Sequence, residues 1–250
     1  MAEAVSILNC KIDNITLEQL LKTLSEGVVF TPNVDHLVRL QEDIEFYHFY
    51  STADYRICDS KILQISSKFL KIPICEKISG SDFFPSFCSF HKNNSEVTVF
   101  LLGSKDQSIV SKAQEKVNKK VGRTIVIEAL SPSFGFEKIE EECLDIVQKI
   151  NASKATVLAV GVGSPKQEKW IMKYKHLMPN IKIFMGIGAT IDFEAGAIKR
   201  APKWMSYVGL EWLYRLLCEP RRLWKRYLKN IVFFFLIFKQ KLGFYRNPWV

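Results

Sequence analysis

The 250-residue sequence lacks the patterns that would mark a disulfide-rich or metal-binding protein. Its six cysteines are scattered without a Cys-x-x-Cys pair, which argues against zinc or disulfides and favours thiols in a reducing compartment. Its four histidines are not spaced like metal ligands, and the acidic pair Asp192 and Glu194 has no supporting cluster. We therefore expect no required metal.

Long hydrophobic runs and a signal peptide are also missing. The longest apolar run covers residues 231–238, whereas a helix that spans a bilayer needs about 20 apolar residues. The N-terminus carries an acid at Glu3 and no apolar core run, so it does not resemble a signal peptide. These patterns predict a cytoplasmic chain that does not cross a membrane.

Acidic side chains are scarce in the last fifth of the chain. Residues 199–250 contain twelve Lys or Arg but only two acids, Glu211 and Glu219, so their net charge is +10 against −1 for the residues before them. Such asymmetry predicts a phosphate-bearing partner or an anionic surface for this segment. Charge alone would also allow binding to nucleic acid.

Short apolar strand patterns alternate with helical patterns before residue 196. The alternation predicts an α/β fold in which helices flank a mostly parallel sheet. Ligands bind beyond the carboxyl ends of such strands, so the loops that follow the strands are predicted to form a ligand-binding rim. Strands are predicted at 27–30, 55–58, 97–102, 124–130, 155–161 and 181–188, and helices near 61–70, 107–120, 137–151 and 165–176.

The composition turns basic and aromatic near Gly196. We therefore predict two domains, an α/β body at 1–196 and a membrane-associating appendage at 197–250. Pro202 and Pro220 are predicted to punctuate two short helices.

On a helical wheel, residues 221–238 separate into an apolar strip and a cationic face, which is typical of a helix lying on an anionic bilayer. Phe233 falls toward the cationic side and does not fit. An ordinary surface helix packed on the body is the alternative, and the strip could also pair with a second copy when no membrane is present. The strip comprises Trp224, Leu228, Ile231, Phe235 and Phe238, widened by Leu223, Tyr227 and Phe234, and the cationic face comprises Arg222, Lys225, Arg226 and Lys229.

A strand-to-helix turn at residues 160–170 is one candidate ligand-binding loop. Gly161 and Gly163 permit close backbone approach, and the start of the following helix attracts phosphate. The third glycine of a dinucleotide fingerprint is missing, so NAD is not expected. Gln167 could contact a ligand, or it could cap the helix together with Ser164.

Asp59 lies on the same predicted rim, after the strand predicted at 55–58. Its carboxylate could act as a general base or could cap the next helix, and the sequence leaves both open. His36 also lies on the rim, but a lone histidine is typical of a structural position.

Several longer segments resemble the WecG/TagA/CpsF family of glycosyltransferases, glycosyltransferase family 26. The resemblance extends from about residue 5 to about residue 230. The segments are TPNVDHLV (31–38), SGSDFF (79–84), VFLLGS (99–104), VGVGSPKQEKWI (160–171), GIGATIDFEAGAIKRAPKWM (186–205) and GLEWLYRLLCEPRRLWKRYL (209–228).

The resemblance implies a Rossmann-like enzyme that is inverting, metal-independent and free of cofactors, peripheral on the inner face of the cytoplasmic membrane. Family members transfer a sugar from a UDP donor to a sugar on undecaprenyl diphosphate during bacterial cell-surface polysaccharide synthesis. We expect N-acetylmannosamine or its uronic acid as the sugar. A UDP-glucose or other hexosyltransferase for a capsule or exopolysaccharide repeat is the alternative. A non-catalytic membrane- or nucleic-acid-binding module is the alternative of another class, although the apolar strip favours lipid over nucleic acid.

The resemblance also implies roles for individual residues, with Asp59 as the catalytic base. Ser60 follows Asp59 where the family commonly has glycine, and Lys77 stands where it often has arginine, so the donor sugar could differ. The expected substrate-binding residues are Thr31, Asn33, Lys77, Gly103, Gly161, Gly163, Gln167, Asp192, Arg215, Arg221, Arg222 and Arg226. The expected membrane-contacting residues are Trp212, Trp224, Leu228, Phe234 and Phe235.

Overall fold

The computed structural model describes residues 4–250, apart from the side chains of Lys203 and Arg222. The chain forms two compact units. The first unit contains Met1–Gln19, Thr31–Ser79 and Arg200–Val250, and the second contains Leu20–Phe30 and Gly80–Lys199. The basic C-terminal segment therefore belongs to the same unit as residues 31–79, and its association with a membrane stays a prediction.

The order of helices and strands is that of an α/β protein with a Rossmann-like layout, as predicted. The strands are β1 (Ala4–Ile7), β2 (Cys10–Asp13), β3 (Gly27–Phe30), β4 (Tyr55–Arg56), β5 (Val99–Gly103), β6 (Val126–Leu130), β7 (Val157–Gly161) and β8 (Ile183–Gly186). The helices are α1 (Leu17–Thr23), α2 (Val34–Arg39), α3 (Ile44–Ser51), α4 (Lys61–Phe69), α5 (Gly80–Phe90), α6 (Gln107–Val121), α7 (Glu140–Ser153), α8 (Lys166–Tyr174), α9 (Thr190–Ala195), α10 (Lys203–Val208), α11 (Glu211–Cys218) and α12 (Pro220–Lys241). Short 3-10 helices lie at Phe136–Lys138 and Lys175–Leu177.

The second unit contains five strands of the parallel sheet, in the order β3-β8-β7-β5-β6. Every residue of β5, β7 and β8 is buried, which explains their continuous apolar sequences, because helices cover both faces of such a sheet. Helix α6 turns Val110, Ala113 and Val117 inward at helical spacing. Since all five strands run parallel, their carboxyl ends share one edge.

The first unit contains the antiparallel hairpin of β1 and β2, in which Ala4 pairs with Asp13. It also contains α2, which begins at Val34 because the side-chain oxygen of Asn33 accepts the backbone N–H groups of Asp35 and His36, at 3.0 and 3.3 Å. Helix α12 packs against α2.

Three helices follow Pro202, rather than the two short ones predicted. The third, α12, is 22 residues long and begins at Pro220, where proline suits the first turn because it has no N–H to leave unpaired. The helix continues to Lys241 because its apolar residues keep helical spacing on a buried face. Within residues 4–250, no helix is both long enough and apolar enough to cross a membrane.

Helix α12 has two apolar faces. One face buries Leu223, Phe233 and Ile237, which are 2%, 0% and 4% exposed, and thereby accounts for Phe233, the residue that did not fit the predicted wheel. The other is the predicted apolar strip without Leu223, which was wrongly placed on it, and residues such as Phe235 and Phe238 on this strip are more than half exposed. The helix is therefore packed on the protein by one face and exposes a hydrophobic surface by the other.

The last turn of α12 and the segment after it are hydrogen-bonded back to the N-terminal part of the first unit. The backbone N–H of Leu8 donates to Gln240 Oε1 at 2.8 Å, and the hydroxyl of Tyr245 donates to Gln41 Oε1 at 2.8 Å. These contacts fix the C-terminal end of α12, and no feature of the sequence predicted them.

Candidate active site

A cavity of about 520 Å³ lies within the first unit. Its walls come from the start of α2, from the start of α4 and the loop before α5, and from helices α10 to α12. Cations, carboxylates and aromatic rings all contribute to the lining. The lining residues are Asn33, Val34, Asp35, Asp59, Ser60, Lys61, Ile62, Lys77, Ser206, Gly209, Glu211, Trp212, Arg215, Leu216, Trp224, Arg226, Tyr227, Leu228, Asn230, Ile231 and Phe234.

Asp59 lies in the cavity wall with its side chain partly exposed. Its backbone N–H donates to the carbonyl of Pro32 at 3.0 Å, and the carbonyl of Cys58 accepts the N–H of Ile78 at 2.7 Å. These two hydrogen bonds tie the Asp59 segment to the loop before α2 and to the loop that carries Lys77.

Ser60, and not Asp59, caps helix α4. The Ser60 hydroxyl accepts the backbone N–H of Leu63 at 3.4 Å, and its backbone is extended as an N-cap requires. Capping by Asp59, one of the two alternatives that the sequence left open, is therefore wrong. The strand before it, β4, also ends at Arg56, two residues earlier than predicted.

The thiol of Cys58 lies within electrostatic reach of both Asp59 and Lys77. The pKa of this thiol is raised to about 12, chiefly by burial and to a smaller extent by Asp59, whereas the hydrogen bond to the Ser60 carbonyl and the charge of Lys77 act in the opposite direction. Cys58 therefore stays protonated at neutral pH and is unsuited to act as a nucleophile. The carboxylate of Asp59 is the group at this position that can accept a proton.

An ion pair holds Arg226 of α12 at the cavity wall. Its Nε lies 3.0 Å from Oδ1 of Asp35 on α2, and the Asp35 side chain is only 9% exposed. The other carboxylate oxygen, Oδ2, lies 3.8 Å from Nη2 of Arg39, one turn along α2. Asp35 thus orients a guanidinium group that lines the cavity.

Replacing Asp35 with asparagine should lower the free energy of unfolding by about 1–2 kcal/mol, because the ion pair with Arg226, which is only partly screened by water, is lost. Chemical denaturation measures this loss. The control is Lys229→Gln. Lys229 lies on α12, as Arg226 does, and its ion pair with Glu42 is more exposed, so its removal should lower the free energy of unfolding by less than about 0.5 kcal/mol. Equal losses in the two variants would contradict the role of Asp35.

The structure brings together four of the predicted substrate-binding residues and the predicted base Asp59 at this cavity. The four are Asn33, Lys77, Arg215 and Arg226. Thr31 is buried and Arg221 is exposed, and neither lines the cavity. The side chain of Arg222 lies outside the described residues.

The other predicted substrate-binding residues lie in the second unit, near the carboxyl edge of its sheet. Gly103 and Gly161 end β5 and β7, and a Cβ on Gly161 would lie 2.7 Å from the carbonyl oxygen of Gly188. The group that approaches Gly161 closely is therefore the backbone of Gly188. Gly163 has φ +86° with open space around it, so its backbone conformation accounts for glycine there.

Gln167 does not form the capping box that the sequence offered as an alternative. Its side chain is buried, with Oε1 accepting the N–H of Gly188 at 3.1 Å and Nε2 donating to Glu168 Oε1 at 2.8 Å. Helix α8 has no side-chain cap, and the hydroxyl of Ser164 makes no hydrogen bond in the described structure. The capping interpretation is wrong because tertiary partners draw Gln167 into the interior.

Asp192, the last of the predicted binding residues in this unit, lies in α9. Its Oδ1 accepts a hydrogen bond from the hydroxyl of Ser104 at 2.8 Å, which joins the loop after β5 to α9. Across residues 4–250, no three His, Cys, Asp or Glu side chains are grouped so that they could hold a metal ion.

His36 is a structural residue, as its isolation in the sequence predicted. It is buried in α2, and its Nδ1 lies 2.8 Å from the hydroxyl of Tyr50. Burial lowers the pKa of the imidazole to about 3, so the ring is neutral at physiological pH. Its contacts stabilise α2 rather than supply a proton.

The predicted membrane-contacting residues are all exposed, from 37% for Trp212 to 59% for Phe235. Four of them also line the cavity: Trp212, Trp224, Leu228 and Phe234. The aromatic rings of the C-terminal segment therefore continue from the cavity onto the surface of the first unit.

Sequence reasoning did not assign several polar residues of the cavity to the site, among them Asp35, Lys61 and Asn230. Asp35 and Lys61 line it beside the predicted Asn33 and Asp59, and Asn230 lines it from α12. The one available signal was the polar Asn230 directly before the apolar run at residues 231–238 of α12. Asp35 owes its position to Arg226, nearly two hundred residues later, and no local pattern indicates such a pair.

The fold and the cavity together define an α/β protein of Rossmann-like layout in which charged groups and aromatic rings line one binding site. The model of the glycosyl transferase WecG/TagA/CpsF family matches residues 5–247. The chain belongs to this family, and it is a glycosyltransferase of cell-surface polysaccharide synthesis. The resemblance found in the sequence is thereby confirmed.

Proposed function

We propose that the protein is an inverting enzyme that transfers N-acetylmannosamine, or its uronic acid, from UDP to a sugar on undecaprenyl diphosphate. The observation that carries this proposal is the mixed lining of the cavity. Asp59 can accept the proton of the reacting hydroxyl, and Lys77 and Arg215 can bind phosphate. Trp224 and Ile231 can contact a hydrocarbon chain. An acceptor made of a sugar, a diphosphate and a prenyl chain offers all three chemical parts.

In the proposed reaction, Asp59 removes the proton from an acceptor hydroxyl. That oxygen forms a bond to the anomeric carbon of the donor while the bond from this carbon to the UDP oxygen breaks. UDP leaves with the bonding electron pair, the proton remains on Asp59, and a single displacement inverts the anomeric centre. We propose that cationic side chains, rather than a metal ion, stabilise the charge that develops on UDP.

The exposed apolar face of α12 supports peripheral attachment to an anionic membrane. Phe235 and Phe238 are more than half exposed, and Lys239 lies 4.7 Å from the centre of the Phe235 ring. A helix with hydrophobic rings and neighbouring lysines binds the headgroup region of such a bilayer. The same helix contributes to the cavity, so attachment would bring the site to a lipid-linked acceptor.

A UDP-release screen tests the function. Purified protein is given several UDP-sugars and a short-chain prenyl diphosphate that carries an N-acetylhexosamine. We expect acceptor-dependent UDP release, fastest with UDP-N-acetylmannosamine or its uronic acid, an inverted anomeric centre in the product by NMR, and activity that persists in EDTA. A fastest rate with UDP-glucose would favour the hexosyltransferase alternative. Release no faster than without acceptor, for every donor, would contradict glycosyl transfer to this acceptor class.

A further inference from the structure

Helix α4 carries an exposed apolar face that has no role in the proposed reaction. Ile65 and Phe69 lie four residues apart, and therefore on one side of the helix, and they are 52% and 47% exposed. The opposite side buries Leu63 and Ser67. Neither Ile65 nor Phe69 lines the cavity. Single exposed apolar residues are common on protein surfaces, but a larger apolar patch indicates a partner.

The exposed face of α4 adjoins exposed aromatic residues of the C-terminal segment at both of its ends. The ammonium of Lys241 lies 5.3 Å from the centre of the Phe69 ring, and Lys241 is about one helical turn from Phe238 on the predicted apolar strip of α12. At the start of α4, Nζ of Lys61 lies 5.5 Å from the centre of the ring of Tyr207, which is exposed. The apolar residues of α4 therefore extend the surface that the C-terminal segment exposes.

The charges around this face are of one sign. Residues 60–75 contain three lysines and no acid, although residues 1–198 as a whole carry a net charge of −1. Lys68 and Lys71 are exposed next to Phe69 in the sequence, and Lys239 and Lys241 at the end of α12 lie close to aromatic rings of the same surface. Apolar side chains flanked by lysines are suited to the headgroup region of an anionic bilayer.

The same charges favour a bilayer over a second copy of the chain as the partner. In a symmetric dimer one patch meets the identical patch of the other copy. The lysines of the patch would then lie near the same lysines of the second copy, and like charges that face each other across an interface are unfavourable. An anionic lipid surface would instead neutralise them.

We propose that α4 is a second membrane-binding element, whose exposed face enters the headgroup region of an anionic bilayer together with the apolar strip of α12. The inference rests on the membrane attachment in the proposed function. Helix α4 begins two residues after Asp59, and both helices contribute to the cavity wall. A protein held by one interfacial helix can still rotate about the axis of that helix. Contact through both helices would fix the orientation of the cavity, and with it Asp59, relative to a lipid-linked acceptor.

Vesicle binding by a double serine variant tests the inference. For Ile65→Ser combined with Phe69→Ser, we expect the dissociation constant for vesicles rich in phosphatidylglycerol to rise roughly 10- to 100-fold, because two apolar side chains no longer enter the headgroup region. The matched control is Ile44→Ser combined with Phe90→Ser, since these side chains are of the same types and are 50% and 49% exposed. Ile44 lies between two acidic residues, and Phe90 belongs to the second unit, so this control should bind vesicles as the wild-type protein does.

Lys68→Gln tests the same surface without removing an apolar side chain, so it does not depend on how well the double serine variant folds. Its affinity for the phosphatidylglycerol vesicles should fall about fivefold at low salt, the effect expected of one lysine near an anionic surface, and the loss should shrink as the salt concentration is raised. Its affinity for phosphatidylcholine vesicles should equal that of the wild-type protein. Lys112→Gln is the control, because Lys112 is an exposed lysine of α6 in the second unit.

Unchanged binding of either variant to the phosphatidylglycerol vesicles would overturn the inference, and so would an equal loss in the matched serine control. A wild-type dimer that the double serine variant converts to a monomer, with vesicle binding retained, would assign the face to a second copy. The proposed attachment fails separately. If the wild-type protein does not bind these vesicles, the attachment is wrong and the inference falls with it. If serine at Phe235 and Phe238 weakens binding but serine at Ile65 and Phe69 does not, the inference alone is wrong.

Discussion

Replacing Asp59 with asparagine should lower the turnover number of sugar transfer by about 10²–10⁴-fold, which is the contribution typical of a general base. Asparagine has nearly the same shape as aspartate, but its amide cannot take up the proton of the acceptor hydroxyl. The substitution should leave the local structure intact, because Ser60 caps α4 and the backbone N–H of Asp59 bonds to Pro32 whatever the side chain. UDP release under saturating donor and soluble acceptor measures the effect.

Glu211 supplies the matched control for Asp59. It also lines the cavity, and its Oε2 accepts a hydrogen bond from the hydroxyl of Ser206 at 3.2 Å. We expect Glu211→Gln to change the turnover number by less than about 10-fold, since a positioned base accounts for more than that. An Asp59→Asn variant that turns over within about threefold of the wild-type protein would remove Asp59 from the role of base. A Glu211→Gln variant with the larger loss would move the role to Glu211.

Replacing Phe235 and Phe238 together with serine should weaken binding to anionic vesicles by about 10²-fold. Both rings are more than half exposed, and burying a phenylalanine side chain contributes about 1.5–3 kcal/mol, part of which each ring would supply in the headgroup region. Co-sedimentation with vesicles rich in phosphatidylglycerol, at fixed salt, measures the change. Neither residue lines the cavity, so turnover with a soluble acceptor should be preserved.

Phe90→Ser is the control for this experiment, because Phe90 is an exposed phenylalanine at the end of α5 in the second unit. It should bind vesicles as the wild-type protein does. If the double variant sediments with vesicles normally, the exposed face of α12 is not the membrane-binding surface. If the wild-type protein prefers duplex DNA to vesicles at the same salt concentration, the basic segment binds nucleic acid. That result would favour the alternative of a non-catalytic nucleic-acid-binding module.

The second unit was largely predictable because its strands are buried on both faces. A strand in that position needs a continuous run of apolar residues. The runs at β5, β7 and β8 are easily told apart from the segments between them, whose apolar residues recur at helical spacing. β4 was predicted less well. The apolar run continues through Ile57 and Cys58, which are buried, but strand pairing ends at Arg56. Inside a sheet, buried side chains belong to residues whose backbone pairs with a neighbouring strand. Past the end of a strand, a side chain can be buried although its backbone is no longer paired.

Helix α12 shows where periodicity stops being informative. The pattern identified a helix and its apolar strip, yet the residue that did not fit, Phe233, lies at the centre of the buried face. A wheel shows which residues share a face but not which face meets the protein. That decision depends on α2, whose side chains are far away in the sequence.

The cavity was predicted in part for a similar reason. Resemblance supplied Asp59, Asn33, Lys77, Arg215 and Arg226, all of which line it. The partner that orients Arg226 comes from a distant part of the chain, and so does the backbone N–H of Gly188 that draws Gln167 away from its local capping pattern. Local signals describe one turn of helix, whereas these contacts exist only after the chain has folded.

The hydrogen bonds that Gln240 and Tyr245 make to the N-terminal part of the first unit have a consequence for synthesis on the ribosome. All residues of the second unit are made by the time Lys199 has been added, so this unit can fold while translation proceeds, as compact units generally do. The first unit needs residues made near the start and near residue 245, so it stays incomplete until Tyr245 has left the exit tunnel. A nascent chain therefore completes the first unit, which carries both the cavity and the exposed apolar strip of α12, only at the end of its synthesis.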